Sequence, residues 1–353
     1  MTKTVGLTLG KFAPLHAGHQ FVIETALAEM DQVIVVIYDC PEITSVPLPV
    51  RAQWIQQLYP QVQVLEAWDG PTEVGNTPEI KRRQEDYLCT LLDGRRVSHF
   101  YSSEFYGEHI SQSLGAIDRR VDATRMRYPV SGTAIRRHPY TYRQFLSPVV
   151  YRDLVSNIVL LGAPSTGKTT LAERLAQAYH TVWMPEYGRE YWEQHQIDRR
   201  LAPHQLVEIA EQHVVREERC LYAANQYLFT DTNALTTYQF ALAYHGAVLP
   251  RLAELANQAA ARYDVVLLCD TDIPYADTWD RSGDVQQQTF QKRIVSDLLM
   301  RNIPFFVVRG DLDARVRYVQ ALLGRFRKYT NFVAALFHQT QTLAPFGSDE
   351  RSS

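Results

Sequence analysis

The chain predicts an α/β protein made of two parallel-sheet domains, and three observations carry that reading. Short, nearly continuous apolar runs such as Val33 to Tyr38 and Ile158 to Leu161 recur along the chain, with stretches of helical apolar spacing between them. Two of these runs end in glycine-bearing loops that open directly into a helical pattern, which is where open α/β sheets hold anions. A proline- and tyrosine-rich interval, Arg137 to Pro148, separates the two sets and puts a boundary near residue 152. Residues 1–152 and 153–335 therefore read as the two domains, and at 353 residues each is long enough to bury its own core.

Composition narrows the function classes. A hydrophobic fraction of 46% and a charged fraction of 21% are ordinary for a soluble globular protein. A net charge of −3 gives no bulk attraction to nucleic acid or to a membrane surface. Cys40, Cys89, Cys220 and Cys269 are scattered without a C-x-x-C pair, which favours reduced thiols in a cytoplasm over a disulfide or zinc framework. The N-terminus enters a strand at once without a signal-peptide layout, and no apolar run approaches a membrane span. A cytoplasmic protein is expected. Residues 340–353 are polar and aperiodic and are expected to be a disordered tail.

In the first half, Val5 to Leu9 reads as a buried strand running into Gly10-Lys11-Phe12-Ala13-Pro14-Leu15-His16-Ala17-Gly18-His19. A helix follows, with Phe21, Val22, Thr25, Ala26 and Met30 on one side, and Val33 to Tyr38 completes a βαβ unit. The loop thus sits at a strand end and a helix start. Gly10 and Gly18 allow close backbone approach, and His16 and His19 can donate N–H groups to phosphate oxygens. A metal reading lacks the further ligands it would need. Downstream, Val130-Ser131-Gly132-Thr133-Ala134-Ile135-Arg136 offers Ser131 and Thr133 as capping hydroxyls and Arg136 as a bidentate phosphate donor. Between these stretches, Trp68 and Asn76 lie in a turn-rich region suited to covering a planar base. Tyr101 to Gly107 follows a short strand from Val97, with its Ser-Ser-Glu at the strand end, whereas Asp122 and Arg125 read by default as solvated surface.

The second half opens on Leu160-Leu161-Gly162-Ala163-Pro164-Ser165-Thr166-Gly167-Lys168-Thr169-Thr170, which matches G-x-x-x-x-G-K-[ST] with an apolar strand before it and a helix after it. Gly162 and Gly167 let backbone N–H groups turn inward around a phosphate. Lys168 reaches the outer phosphate oxygens, and Thr169 offers a hydroxyl to Mg²⁺. Strands are expected at Thr181–Met184, 227–229, 264–269 and 305–308, with a long helix over 203–224. Acids stand at the strand ends. Asp231 is the best candidate to hold Mg²⁺ through water, with Asp270 the runner-up. Glu186 is placed to accept a proton from an attacking hydroxyl. Asp280-Arg281 and Lys292-Arg293 suggest a lid over the transferring group, although a solvated helix face suits the latter pair equally well.

These strings carry a resemblance. Gly10 to His19, with Val130 to Arg136, resembles the paired signatures of nucleotidyltransferases that join a nucleoside triphosphate to a phosphorylated small molecule, with a glycine where that pattern has its second serine. With G-A-P-S-T-G-K-T, P-E-Y-G-R-E, F-T-D-T and D-T-D-I-P-Y-x-x-D-x-x-R behind it, the chain resembles the NadR family from about residue 3 to residue 332. The resemblance implies a Rossmann-like nucleotidyltransferase domain followed by a P-loop kinase domain. The first would make NAD from nicotinamide mononucleotide and ATP, and the second would phosphorylate ribosylnicotinamide to the mononucleotide, with Mg²⁺ as cofactor. It also implies residue roles. His16, His19, Lys11 and Arg136 would hold the triphosphate, with Gly10, Phe12, Gly18, Ser131 and Thr133 around it. In the kinase, Gly162, Ser165, Thr166, Gly167, Thr169 and Thr170 would bind ATP beside Lys168, Glu186 and Asp231. Asp270, Asp272, Arg281 and Trp68 would contact substrate.

Some NadR members carry an N-terminal helix-turn-helix and repress transcription; here the first strand begins within a few residues of Met1, so a nucleic-acid partner is not expected. Three alternatives stay open on sequence: a kinase whose first domain mainly senses NAD, a transcriptional repressor, or the same chemistry on another acceptor such as pantetheine phosphate or a flavin precursor. Homo-oligomerisation also stays open.

Overall fold

β-Branched runs and the helices between them sort into two all-parallel five-stranded sheets. The structure is a computed structural model and describes residues 3–71, 73, 75, 77–103, 107–197, 200–273 and 287–330. The chain divides into two compact units. One runs up to Val155 and includes Leu221–Gln226; the other holds Ser156–Cys220 and the chain from Tyr227 onward.

The first unit runs β1 (Val5–Gly10), α1 (Ala17–Glu29), β2 (Gln32–Tyr38), α2 (Leu48–Leu58), β3 (Gln63–Ala67), α3 (Pro78–Leu92), β4 (His99–Ser102), α4 (Gly107–Leu114), β5 (Ile117–Arg120), α5 (Gly132–Arg137) and α6 (Pro148–Leu154). Its strand order is β3-β2-β1-β4-β5. The order therefore reverses at β1, and the loop after β1 opens at the switch point where sheets of this kind bind ligands. Leu7, Ile34, Val36 and Phe100 pack one face against Leu88 and Leu92. Each such fully buried side chain contributes roughly 1.5–3 kcal/mol. Strands β3 and β5 escaped the sequence reading because they lie at the sheet edges, where one strand reads Gln-Val-Leu-Glu-Ala and the other Ile-Asp-Arg-Arg. Edge strands tolerate such charges and lose the apolar signature.

The second unit runs β6 (Ser156–Leu161), α7 (Lys168–Ala178), β7 (Trp183–Met184), α8 (Tyr187–His195), α9 (Pro203–Ala223), β8 (Tyr227–Asp231), α10 (Ala234–His245), α11 (Pro250–Ala259), β9 (Val265–Cys269), α12 (Gln287–Met300), β10 (Phe306–Val308) and α13 (Leu312–Arg325). Its strand order is β10-β9-β6-β8-β7, so β6 is central. Alternation along β6 fills two layers. Ile158 and Leu160 pack with Leu171, Leu175, Val319 and Leu323. Val159 and Leu161 pack with Leu206, Ile209, Leu235 and Phe290. Among the described residues, no helix is long and apolar enough to cross a membrane.

Candidate active sites

In the first unit, the loop from β1 to α1 packs its histidines closely, with His16 against Gly18. A Cβ on Gly18 would meet the His16 ring at 3.1 Å. The His16 and His19 rings stack with centroids 3.7 Å apart, and Phe12 closes on His19 edge-on at 5.1 Å. His16 is the N-cap of α1, and its backbone N–H donates to His19 Nδ1 at 3.4 Å. The buried His16 Nδ1 has no partner among the described residues. Arg51, fully buried on α2, braces the loop from behind by donating to the carbonyls of Lys11, Tyr38 and Val46. Lys11 itself is paired with Glu42 at 2.9 Å.

The second signature folds against this loop. Ser131 caps α5 by accepting from the Ala134 N–H at 3.2 Å. Thr133 does not cap, contrary to the sequence reading; its hydroxyl lies inside the helix and accepts from Arg136 at 3.1 Å. Arg136 also donates to the Ala13 carbonyl. A Cβ on Gly132 would sit tightly, 3.1 Å from both Ala13 O and Arg136 Nη1, so glycine lets the two segments approach without displacement. The result is an open cavity lined by Gly10, Lys11, Phe12, His19, Ser102, Ser103, Arg125, Ser131, Thr133 and Arg136. A smaller recess beside it is lined by His16, Gly18, Asp122, Arg125 and Tyr128. Arg125 lines both and is exposed, in keeping with its reading as solvated surface. Trp68 stands 58% exposed after β3 and lines neither cavity. Asn76 lies outside the described residues.

Both histidines are held neutral. Burial first, and the Arg125 charge second, lower His16 from 6.5 to about 4. Burial, then His16 and Arg125, hold His19 well below its usual value. A base with a depressed folded pKa stabilises the fold above its unfolded pKa and loses that contribution as pH falls. Between pH 6.5 and about 4 the unfolded chain binds a proton at His16 that the folded protein excludes. The resulting loss is roughly 3 kcal/mol at full displacement. Urea unfolding should therefore show a falling midpoint over this window, and His16→Gln should flatten the slope.

In the second unit the phosphate loop takes backbone conformations that demand glycine. Gly162 has φ 145° and Gly167 φ 77°, and a Cβ on Gly162 would lie 2.7 Å from Cys269 O. Lys168 Nζ donates to Ala163 O at 3.0 Å, and Thr166 Oγ1 donates to the same oxygen at 2.9 Å. Side chains distant in sequence hold the loop. Gln291 of α12 accepts from the Ala163 N–H at 2.8 Å and donates to Cys269 O at 3.0 Å. Gln287 donates to Pro164 O, and the buried Arg315 of α13 donates to Thr166 O at 2.6 Å. Gln291→Leu, which strands two buried backbone groups, should cost about 1–3 kcal/mol in denaturant unfolding. It should also raise the KM for ATP.

Asp231 ends β8, next to β6, and is fully buried. Thr169 Oγ1 donates to its Oδ2 at 2.5 Å, while its Oδ1 has no partner among the described residues. Burial, and then the Glu186 carboxylate, push the Asp231 carboxyl up; Lys168 and the Thr169 hydroxyl oppose them. A hydroxyl and a buried carboxylate with an unused oxygen form a hard-oxygen set that fits Mg²⁺. Glu186 caps α8 and lies 3.6 Å from Arg189. A pocket lined by Gly162, Lys168, Glu186, Arg189, Trp192, Leu206, Ile209, His213, Thr236, Phe240 and Tyr244 opens between the phosphate loop and helices α8, α9 and α10.

Asp270 and Asp272 are not in it. Asp270 accepts from Arg309 at 2.6 Å, and Asp272 accepts from the Gly310 N–H and from Arg315. Arg315, which pairs with Asp272, also holds the phosphate loop through Thr166 O. Ser165 takes a left-handed turn with φ 60°, and Thr170 faces solvent on α7. Lys292 and Arg293 are exposed on α12, while Asp280 and Arg281 lie outside the described residues.

Comparison with known proteins agrees with both halves. Residues 7–138 match the cytidylyltransferase-like family and residues 157–315 the AAA domain. The chain is 27% identical over 92% of its length to the trifunctional NAD biosynthesis/regulator protein NadR of Escherichia coli (strain K12), covering 85% of that protein. It is 27% identical over 91% of its length to the protein of the same name from Salmonella typhimurium (strain LT2), covering 84% of that one. Two crystal structures of NadR protein, one in complex with NAD and AMP-PNP and one with NR, align over 98% of both chains at 22% identity and a TM-score of 0.52, a likeness of fold. With the two domain types matched in the same order and the relatives aligned across nearly the whole length, these likenesses support a NadR-family protein.

Proposed function

We propose that the second unit transfers the γ-phosphoryl group of ATP to the 5′-hydroxyl of ribosylnicotinamide, and that the first unit joins the resulting nicotinamide mononucleotide to the adenylyl group of another ATP. NAD and pyrophosphate are the final products. The single observation that supports this best is the pair of unlike anion cradles on two separate sheets. One is a lysine–threonine loop with Asp231 beneath it and the Glu186 carboxylate lining an acceptor pocket. The other is a histidine–arginine cavity with a paired lysine at its rim. The relatives' role in NAD biosynthesis, and the NAD, AMP-PNP and NR held by the solved NadR proteins, support the assignment.

In the kinase step, the loop N–H groups and Lys168 hold the outer phosphates in line with the acceptor. Glu186, lining the same pocket, takes the proton of the 5′-hydroxyl as its oxygen bonds to the γ-phosphorus and ADP leaves. Thr169 and Asp231 would hold Mg²⁺, which when bound neutralises charge on the phosphates. Trp192, Phe240 and Tyr244 offer apolar faces to the planar base.

In the adenylyl step, a phosphate oxygen of the mononucleotide attacks the α-phosphorus and the bond to the β,γ-pyrophosphate breaks. No covalent enzyme intermediate is needed. His16, His19, Arg136 and Arg125 orient the triphosphate and meet the charge on the departing pyrophosphate. Neutral histidines donate N–H bonds there, and Lys11 exchanges Glu42 for a phosphate oxygen.

Incubation of the protein with ATP, Mg²⁺ and ribosylnicotinamide, followed by mass analysis, tests the proposal. The mononucleotide with ADP, followed by NAD with pyrophosphate, is the expected set of products. Unchanged ribosylnicotinamide would reject the kinase assignment, and accumulation of the mononucleotide alone would reject the adenylyl assignment.

A further inference from the structure

Two buried polar atoms of the second unit's pocket have no partner among the described residues: His213 Nε2 on α9 and Thr236 Oγ1 on α10. His213 is 4% exposed and Thr236 5%, so neither is turned toward open solvent. Glu217, one helical turn beyond His213, does not serve it. That carboxylate is taken up by Asn157 at 2.7 Å, Thr230 at 3.3 Å and Arg262. An unpaired buried polar atom is a cost to the fold, so a group that persists in this state is a candidate for a ligand's partner.

The two helices grade in the same direction. Thr236 lies in the first turn of α10, just after Asp231 ends its strand; one and two turns farther along come Phe240 and Tyr244. On α9, His213 is followed toward the N-terminus by Ile209 and Leu206. The distant ends of these two runs meet where His245 Nε2 lies 2.8 Å from Leu201 O. The polar atoms thus share the level of the carboxylates at the strand ends, and the apolar and aromatic side chains occupy the level above. Glu186 is among the charges that act on the His213 ring. A nucleoside whose 5′-hydroxyl faces Glu186 would lay its sugar on the polar level and its base on the apolar one.

We propose that His213 Nε2 and the Thr236 hydroxyl recognise the secondary hydroxyls of the acceptor's sugar, making the pocket selective for ribosides over deoxyribosides. The inference rests on the acceptor reading of this pocket. A hydroxyl both donates and accepts, so it can satisfy a neutral imidazole and a threonine hydroxyl together. An acceptor lacking it leaves the protein atoms buried and unpaired, which is the kind of mismatch that discriminates strongly.

The test crosses protein and substrate variants in the full-length chain. Wild type, His213→Leu, His213→Gln and Thr236→Val are assayed with ribosylnicotinamide and with its 2′-deoxy and 3′-deoxy analogues. Wild type should favour the riboside over at least one deoxy analogue by about tenfold or more in kcat/KM. His213→Leu and Thr236→Val should each raise the KM for the riboside by about tenfold, leave the KM for ATP unchanged and shrink the discrimination. His213→Gln, whose amide reaches near the Nε2 position, should recover part of it. Ligand-free His213→Leu should unfold at or above the wild-type temperature, whereas a packing role would lower it. Equal discrimination in wild type and both truncated variants would overturn the inference while leaving the kinase assignment standing. A wild type inactive on ribosylnicotinamide would instead overturn the assignment itself.

Discussion

Lys168→Ala is expected to lower ribosylnicotinamide phosphorylation by about three orders of magnitude and to leave adenylylation of nicotinamide mononucleotide within about twofold of wild type. The size follows from the loss of the one ammonium in the loop that meets developing charge on the transferred group. Lys168 is 8% exposed, lines the pocket with Glu186 and is bonded to Ala163 O. Selectivity follows from composition of the sites. The kinase pocket is lined from Gly162 to Tyr244, and the histidine–arginine cavity from Thr8 to Arg136. The two activities measured separately on one purified variant check this. Loss of both in a protein with wild-type unfolding behaviour would contradict the separateness of the cradles.

His19→Ala is expected to give the converse result, with adenylylation reduced by roughly two orders of magnitude or more and phosphorylation unchanged. The ring lies between Phe12 and His16 and borders both the large cavity and the recess beside it. Removing it deletes a donor and also loosens the stack that positions His16. His19→Asn, which keeps an amide near one ring nitrogen, should recover part of the rate. An unchanged rate in His19→Ala would take this residue out of the mechanism.

Much of both sites could be read from the sequence because their chemistry is local. Gly10 to His19 and Gly162 to Thr169 each hold a strand end, a turn and a helix start within about a dozen consecutive residues, so spacing alone specifies geometry. The supports were hidden for the opposite reason. Gln291 reaches Ala163 across 128 positions and Arg315 reaches Thr166 across 149. A glutamine or arginine on a helix carries no local sign of such a reach. Acids after strands were ambiguous in kind. Asp231 meets Thr169, but Asp270 and Asp272 meet Arg309 and Arg315, and only the fold distinguishes a ligand position from an ion pair. His213 sits in α9 with nothing in its neighbours to mark it. Its distinction is a missing partner, a property of three-dimensional packing rather than of sequence.

The central claim is that two independent phosphate chemistries act in series on one chain. It is tested most directly by mixing equal amounts of Lys168→Ala and His19→Ala protein with ATP, Mg²⁺ and ribosylnicotinamide and measuring NAD by mass. Each variant alone should make almost none, and the mixture should make NAD, because the mononucleotide released by one is adenylylated by the other. A mixture that accumulates no NAD, although each variant retains its own remaining activity, would contradict the account.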